Sequence, residues 1–296
     1  MAGGRRRVPV RCSMDGPDER RALFGRIVPV YDHVSAYNVL YRTIDPNVLY
    51  RTIDPNNAEF VCVDGMHALQ VLDVFTLGQH RTWKRMCVSW STAKGGDRVL
   101  DLCCGTGDLA LLASSAKVGL DGEVVAVDFS RRQLEAAASR ADRHRKPCYK
   151  NIKWTEGDAL ALPFADCYFD AVTVGYGLRN VLDRCIVMAE IFRVLKPGSR
   201  ASILDFSERS LLIIENWVID SLLANFAAGY GVAEEYKYPK RSISQYPTGE
   251  ELEELAIQTG FASAKQYDLA GGLMGNLVAI PSSHCSNMSG YETGRY

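Results

Sequence analysis

The run Arg98-Val99-Leu100-Asp101-Leu102-Cys103-Cys104-Gly105-Thr106-Gly107-Asp108 decides the fold. A short apolar segment over residues 98–103 runs into two glycines, and an apolar-periodic stretch over residues 108–116 follows at once. Apolar strand, glycine turn and helix start in direct succession begin a strand–helix–strand unit. The glycines let the backbone turn tightly and approach a ligand without a Cβ in the way. The helix start behind them offers N–H groups that have no intrahelical partner.

The same alternation continues towards the C-terminus. Strands are predicted at 123–128, 152–156, 169–174, 200–206, 263–269 and 276–280, and helices at 130–143, 183–195, 211–228 and 248–258. Ser130 stands at an N-cap position, and Lys196-Pro197-Gly198 stops the helix before it. Strands alternating with helices predict an α/β fold, a mostly parallel seven-stranded sheet with helices on both faces. Ligands of such sheets bind at the carboxyl ends of the strands.

Acids stand at those ends. Asp128 closes the second strand, 21 residues after Gly107, the spacing at which a carboxylate grips a ribose. Asp158, followed by Ala159, comes after the third strand, where an Asp side chain meets an adenine amino group. Gly105, Gly107 and Ala110 satisfy the looser dinucleotide fingerprint, so the glycines alone do not exclude a nicotinamide cofactor. Asp101 and Asp108, however, bracket the loop Gly105-Thr106-Gly107; two carboxylates there repel a pyrophosphate and suit an ammonium and a sulfonium. Ribose, adenine and a cationic amino-acid end together describe S-adenosylmethionine.

Composition narrows the rest. Of 296 residues 47% are apolar and 23% charged, an ordinary globular balance. The formal net charge of −1 provides no basic field for nucleic acid. No uncharged apolar run reaches the roughly 18 residues of a membrane span; residues 211–228 come nearest and are interrupted by Glu215 and Asp220. Nine scattered cysteines do not form a secreted disulfide framework, their spacing suits no zinc site, and most are expected as small core residues. No metal is expected. Arg5, Arg6, Arg7 and Arg11 precede the first acid, Asp15, so the start reads as an organellar transit segment or as a solvated basic tail.

One stretch breaks the pattern. Residues 39–47 read VLYRTIDPN and residues 48–56 repeat them identically. Each copy ends in a turn signal, and residues 35–70 hold no sustained helical or alternating period, so a loop-like insertion is expected.

At its motifs the chain resembles the class I S-adenosylmethionine methyltransferases, and more narrowly the quinone C-methyltransferases of ubiquinone and menaquinone biosynthesis. Gly175-Tyr176-Gly177-Leu178-Arg179-Asn180-Val181 is similar to that family's post-strand loop, and Arg193-Val-Leu-Lys196-Pro197-Gly198-Ser199 with Ile203-Leu204-Asp205-Phe206-Ser207 to its second signature. Ser199 and Asp205 replace a Gly and a Glu there. Leu77-Gly78-Gln79-His80-Arg81-Thr82-Trp83-Lys84 resembles the end of the first signature and Tyr31-Asp32 its beginning. Joining His33 directly to Val71 restores the family spacing. Val34-Ser35 can be encoded GTAAGT and Gln70 CAG, so residues 34–70 read as a retained in-frame intron. The tail after Ile280 also departs from the family.

The resemblance implies four regions: a transit segment or basic tail at 1–17, an N-terminal helical lid at 18–90 carrying the insertion at 34–70, a methyltransferase domain at 91–280 and a flexible tail at 281–296. It implies S-adenosylmethionine held by Asp101, Gly105, Thr106, Gly107, Asp128, Asp158, Ala159 and Gly175, with Tyr31 closing over it. Arg179 is expected either to stabilise an oxyanion on the substrate or to clamp its loop, and His80 either to act near a quinol oxygen or to orient the lid. Plastid-branch likenesses in Leu77-Gly-Gln-His, Asp205-Phe206 and Gly272-Leu-Met-Gly275-Asn276-Leu277 imply a prenylated naphthoquinol substrate and a chloroplast location, against a mitochondrial benzoquinol alternative. The apolar residues 211–228 are then candidates for a tail groove, a peripheral membrane contact, a homodimer interface or plain core. A further alternative is a cofactor-binding isoform without turnover, disabled by residues 34–70.

Overall fold

The computed structural model describes residues 79–207, 210 and 245–282. Tyr31, the repeats, the insertion at 34–70, the segment at 211–228 and nearly all of the C-terminal tail lie outside them.

Helix α1 (Gln79–Trp90) buries His80, Trp83, Cys87 and Val88, one face of a 3.6-residue period. Strands β1 (Arg98–Leu102), β2 (Glu123–Asp128), β3 (Ile152–Glu156), β4 (Phe169–Gly175) and β5 (Leu195–Phe206) are parallel, and β6 (Phe261–Leu269) and β7 (Met274–Pro281) complete seven. The order is β3-β2-β1-β4-β5-β7-β6, with β7 antiparallel to both its neighbours. The order reverses between β1 and β4, the point at which such sheets open a crevice.

Alternation along each strand feeds two cores. Leu100, Leu102, Val125, Val127, Val172 and Val174 pack on one face with α4 (Arg184–Val194) and α5 (Gly249–Thr259). Val99, Val124, Ala126, Ala171 and Leu204 pack on the other with α1 and α2 (Asp108–Ala113). Covering both faces explains why the parallel strands read as nearly continuous apolar runs.

Several boundaries differ from the sequence reading. The helix expected over 108–116 ends at Ala113 and passes into a π-helical turn, Ser114–Val118. Lys196-Pro197-Gly198 does stop α4, but it lies within β5: pairing jumps from Phe169↔Leu195 to Ala171↔Arg200, and the residues between loop out as a bulge that tolerates the proline. Ser130 occupies the N-cap of α3 (Arg131–His144) without a side-chain cap bond; the Asp128 carboxylate accepts the Ser130 N–H instead, at 2.9 Å. Helix α5 begins in a capping box between Thr248 and Glu251. Strands β6 and β7 each start two residues early because their antiparallel pairing runs from Phe261↔Pro281 to Leu269↔Met274.

Among the free cysteines of the described residues only Cys87 is fully buried. The expectation of core cysteines therefore fails for Cys103 and Cys104, which the glycine turn carries into a cavity wall, and for the exposed Cys185. Cys167 is disulfide-bonded. Among the described residues no group of three or more His, Cys, Asp or Glu is placed to hold a metal, and no helix is long and apolar enough to cross a membrane.

Candidate active site

The crevice between the carboxyl ends of β1 and β4 is a cavity of about 580 Å³. Its floor is the glycine turn. Gly107, at φ 82°, lies in the left-handed region, and a Cβ there would stand 2.6 Å from the Trp154 ring. Only glycine closes this turn without displacing an indole from β3. The turn is tied across to β2, because the Gly105 N–H donates to Asp128 Oδ2 at 2.8 Å. With Ser130 N–H on Oδ1, each oxygen of the Asp128 carboxylate already takes one backbone donor. Burial nevertheless pushes its pKa up, against those hydrogen bonds.

Asp101 is 1% exposed. Its cross-strand partner in the β1–β4 register is Thr173, whose hydroxyl donates to Asp101 Oδ1 at 3.0 Å. Oδ2 is buried with no hydrogen-bond partner. Burial, with smaller contributions from the Asp108 and Asp128 charges, raises this carboxyl to a pKa of about 7 despite the bonds from Thr173 and Ala110. Burial thus favours the neutral acid there, and Oδ2 lacks a donor.

Asp108 corrects the picture of two free carboxylates. Lys84 of α1 binds its Oδ2 at 2.5 Å and Arg140 of α3 binds its Oδ1. Burial opposes its charge, but Lys84 and Arg140 outweigh it and hold the carboxyl well below the usual range. The repulsion of a pyrophosphate by a pair of acids therefore reduces to Asp101, because Asp108 is neutralised by its partners.

At the far end the exposed Asp158 accepts the Leu160 N–H on Oδ1 at 2.9 Å, an Asx turn that aims the segment after β3. Ala159 is buried beside it. The opposite wall follows β4. Tyr176 has φ 61°, and a Cβ on Gly177 would lie 2.3 Å from the Cys103 Cβ, so the loops after β1 and β4 touch through a missing side chain. Arg179 lines the cavity. Its guanidinium binds Asp205 Oδ1 at 2.6 Å and its backbone N–H reaches Asp205 Oδ2 at 3.2 Å. The cation also lies 5.0 Å over the Phe206 ring and 5.9 Å over Tyr176.

Asp101, Gly105, Thr106, Asp128, Asp158, Ala159, Gly175 and Arg179 thus line one cavity. Gly107 shapes it from beneath. His80 is not in its wall; it stands behind Tyr176, whose hydroxyl lies 2.8 Å from Nδ1. Burial and then Lys84 lower its pKa to about 4, so the ring is neutral. Its hydrogen-bond contact is with Tyr176 rather than with the cavity. Tyr31 lies outside the described residues. Sequence alone does not mark Asp205, Thr173, Lys84 and Arg140 as site residues. The Asp205-Phe206 dipeptide and the lone Thr173 in an apolar strand were the signals, but their partners lie 26 and 72 residues away.

Comparison with known proteins gives the family and the fold. The model of the ubiE/COQ5 methyltransferase family matches residues 66–280. A chloroplastic 2-phytyl-1,4-beta-naphthoquinone methyltransferase of Arabidopsis thaliana is 49% identical over 279 residues, covering 93% of this chain and 91% of that protein. A 2-phytyl-1,4-naphtoquinone methyltransferase of Trichormus variabilis is 41% identical over 265 residues, 88% of this chain and 98% of its own length. A chain from the Haloferax volcanii complex of the Trm112 activator with a methyltransferase superposes with TM-score 0.52 at 17% identity, over 74% of this chain and 98% of that one, a likeness of fold. The chain belongs to the ubiE/COQ5 methyltransferase family and carries the α/β fold of class I S-adenosylmethionine-dependent methyltransferases.

Proposed function

We propose that this enzyme transfers a methyl group from S-adenosylmethionine to a ring carbon of a reduced 2-phytyl-1,4-naphthoquinone, the methylation that forms phylloquinol. The observation that carries the reading is the convergence of Asp101, Asp128, Asp158 and Arg179 on one cavity. The substrate class is supported by relatives 41% and 49% identical over most of the chain. The cavity residues fit the cofactor. Asp101 Oδ2 is a buried acceptor in want of a donor, which an ammonium supplies. Asp128 suits the ribose and Asp158 the adenine amino group.

S-adenosylmethionine, when bound, supplies an electrophilic methyl group on a sulfonium. The chain's contribution is positioning and charge. Arg179, anchored on Asp205, brings a fixed positive charge to the cavity wall, where a substrate oxygen can approach it. A fixed guanidinium favours the phenolate of the acceptor over its phenol, which enriches the ring carbon to be methylated. Arg179 does not itself take the proton, because a guanidinium stays charged; the phenolic proton passes to water, the sulfur leaves as a neutral thioether, and the ring C–H proton is lost to solvent as the methylated quinol regains aromaticity. Tyr176, whose pKa burial pushes well above the usual phenol value, stays protonated beside it. His80, neutral, holds the Tyr176 hydroxyl.

A chloroplast location accords with the chloroplastic Arabidopsis relative and with the Arg-rich start. The phytyl chain needs an apolar receiver, for which residues 211–228 are the sequence candidate; membrane contact and a homodimer through the same residues belong to this proposal. Methyl transfer from labelled S-adenosylmethionine to reduced demethylphylloquinone and to a demethylated benzoquinol, offered together, tests it. Label on the naphthoquinol is the expected result. Label on the benzoquinol would reassign the substrate to the ubiquinone pathway, and cofactor binding without transfer to either would identify a non-catalytic isoform.

A further inference from the structure

Gln133 is a buried polar side chain of the cavity that the mechanism above leaves unused. It stands on the first turn of α3, 4% exposed, in the cavity wall. Its Oε1 is buried with no hydrogen-bond partner. A Cβ on Gly105 would lie 4.0 Å from that oxygen, which puts the carboxamide over the glycine turn, next to the loop N–H that binds Asp128. Buried amide oxygens are nearly always paired, and an exception in a cavity wall points to a ligand. An apolar side chain of similar length would fill the same space without that desolvation cost.

We propose that Gln133 is a cofactor-binding residue that reads the ribose hydroxyls together with Asp128. The inference rests on S-adenosylmethionine being the methyl donor. Asp128 accepts only, and each of its oxygens already carries one backbone donor. A ribose diol presents two donors and, once these are given away, acceptor lone pairs that a carboxylate cannot satisfy. A carboxamide beside it supplies both an N–H donor and a further acceptor. Carboxylate and amide together complement a diol; the carboxylate alone meets only its donors. Asp158, which suits the adenine, stands on a different loop, after β3.

The test is calorimetric binding of S-adenosylhomocysteine and of its 2′-deoxy and 3′-deoxy analogues to the full chain and to Gln133→Met. The wild-type protein is expected to bind both deoxy analogues more weakly than the parent. Gln133→Met is expected to lose about tenfold in affinity for the parent, the worth of one neutral hydrogen bond. It should lose less than about twofold for the analogue that lacks the hydroxyl Gln133 reads, since that bond is absent in both proteins. The ligand-free melting temperature of the variant should match or exceed the wild type, which separates lost recognition from lost folding. Equal losses for all three ligands, or no loss for any, overturn the ribose assignment. A wild-type protein that binds none of the three overturns the proposed cofactor instead.

Discussion

At Asp101 a carboxyl is held where burial opposes its charge. Its folded pKa of about 7 lies above the unfolded value of 3.8, so between these values the ligand-free folded state binds more protons than the unfolded chain. Stability of the ligand-free protein should therefore fall as pH rises from about 4 through 7. A cationic ligand reverses the preference, since it binds the ionised form. Affinity for S-adenosylmethionine should rise with pH up to about 7, approaching tenfold per unit below it, and then level off. Calorimetric titrations across this range should show that slope in the wild type and lose most of it in Asp101→Asn; an unchanged slope would exclude Asp101 as the titrating group. The acid and its place at a strand end are visible in the sequence. Its 1% exposure and its orphaned oxygen are not, because both depend on β4 and its Thr173.

Between elements, the closest dependence is that of the loops after β1 and β4. Gly177 has ordinary backbone angles, so its constraint is contact alone: Cys103, itself at φ 55°, fills the space a Cβ would take. Gly177→Ala should separate the two loops, lower stability by about 1–3 kcal/mol in chemical denaturation and weaken cofactor binding. Adding Cys103→Gly removes both the clash and the left-handed strain and should restore most of the loss; no recovery would mean that the loops do not meet as described. The glycine turn was legible because it is a local pattern, within three residues. The β5 bulge was not, because Lys196-Pro197-Gly198 ends a helix equally well whether or not a strand begins inside it. Pairing with β4 decides that.

For the whole molecule the open question of sequence is residues 34–70. The family match begins at residue 66, inside that stretch. Deleting residues 34–70 should leave cofactor affinity within about twofold, since the described cavity residues all lie beyond it, and should raise the rate of methyl transfer by restoring the family spacing between Tyr31-Asp32 and Gly78. Equal rates with and without the segment would make it a tolerated loop. Strand and helix alternation, the glycine turn and the acids at strand ends were all readable from residues 98–280, because period, turn chemistry and spacing along the chain are local properties. The folded arrangement settled the antiparallel place of β7 between β5 and β6 and the neutralisation of Asp108 by Lys84 and Arg140. It also settled the clamping of Arg179 by Asp205 and the withdrawal of His80 behind Tyr176. Charge and burial at a site are sums over neighbours that only folding brings together.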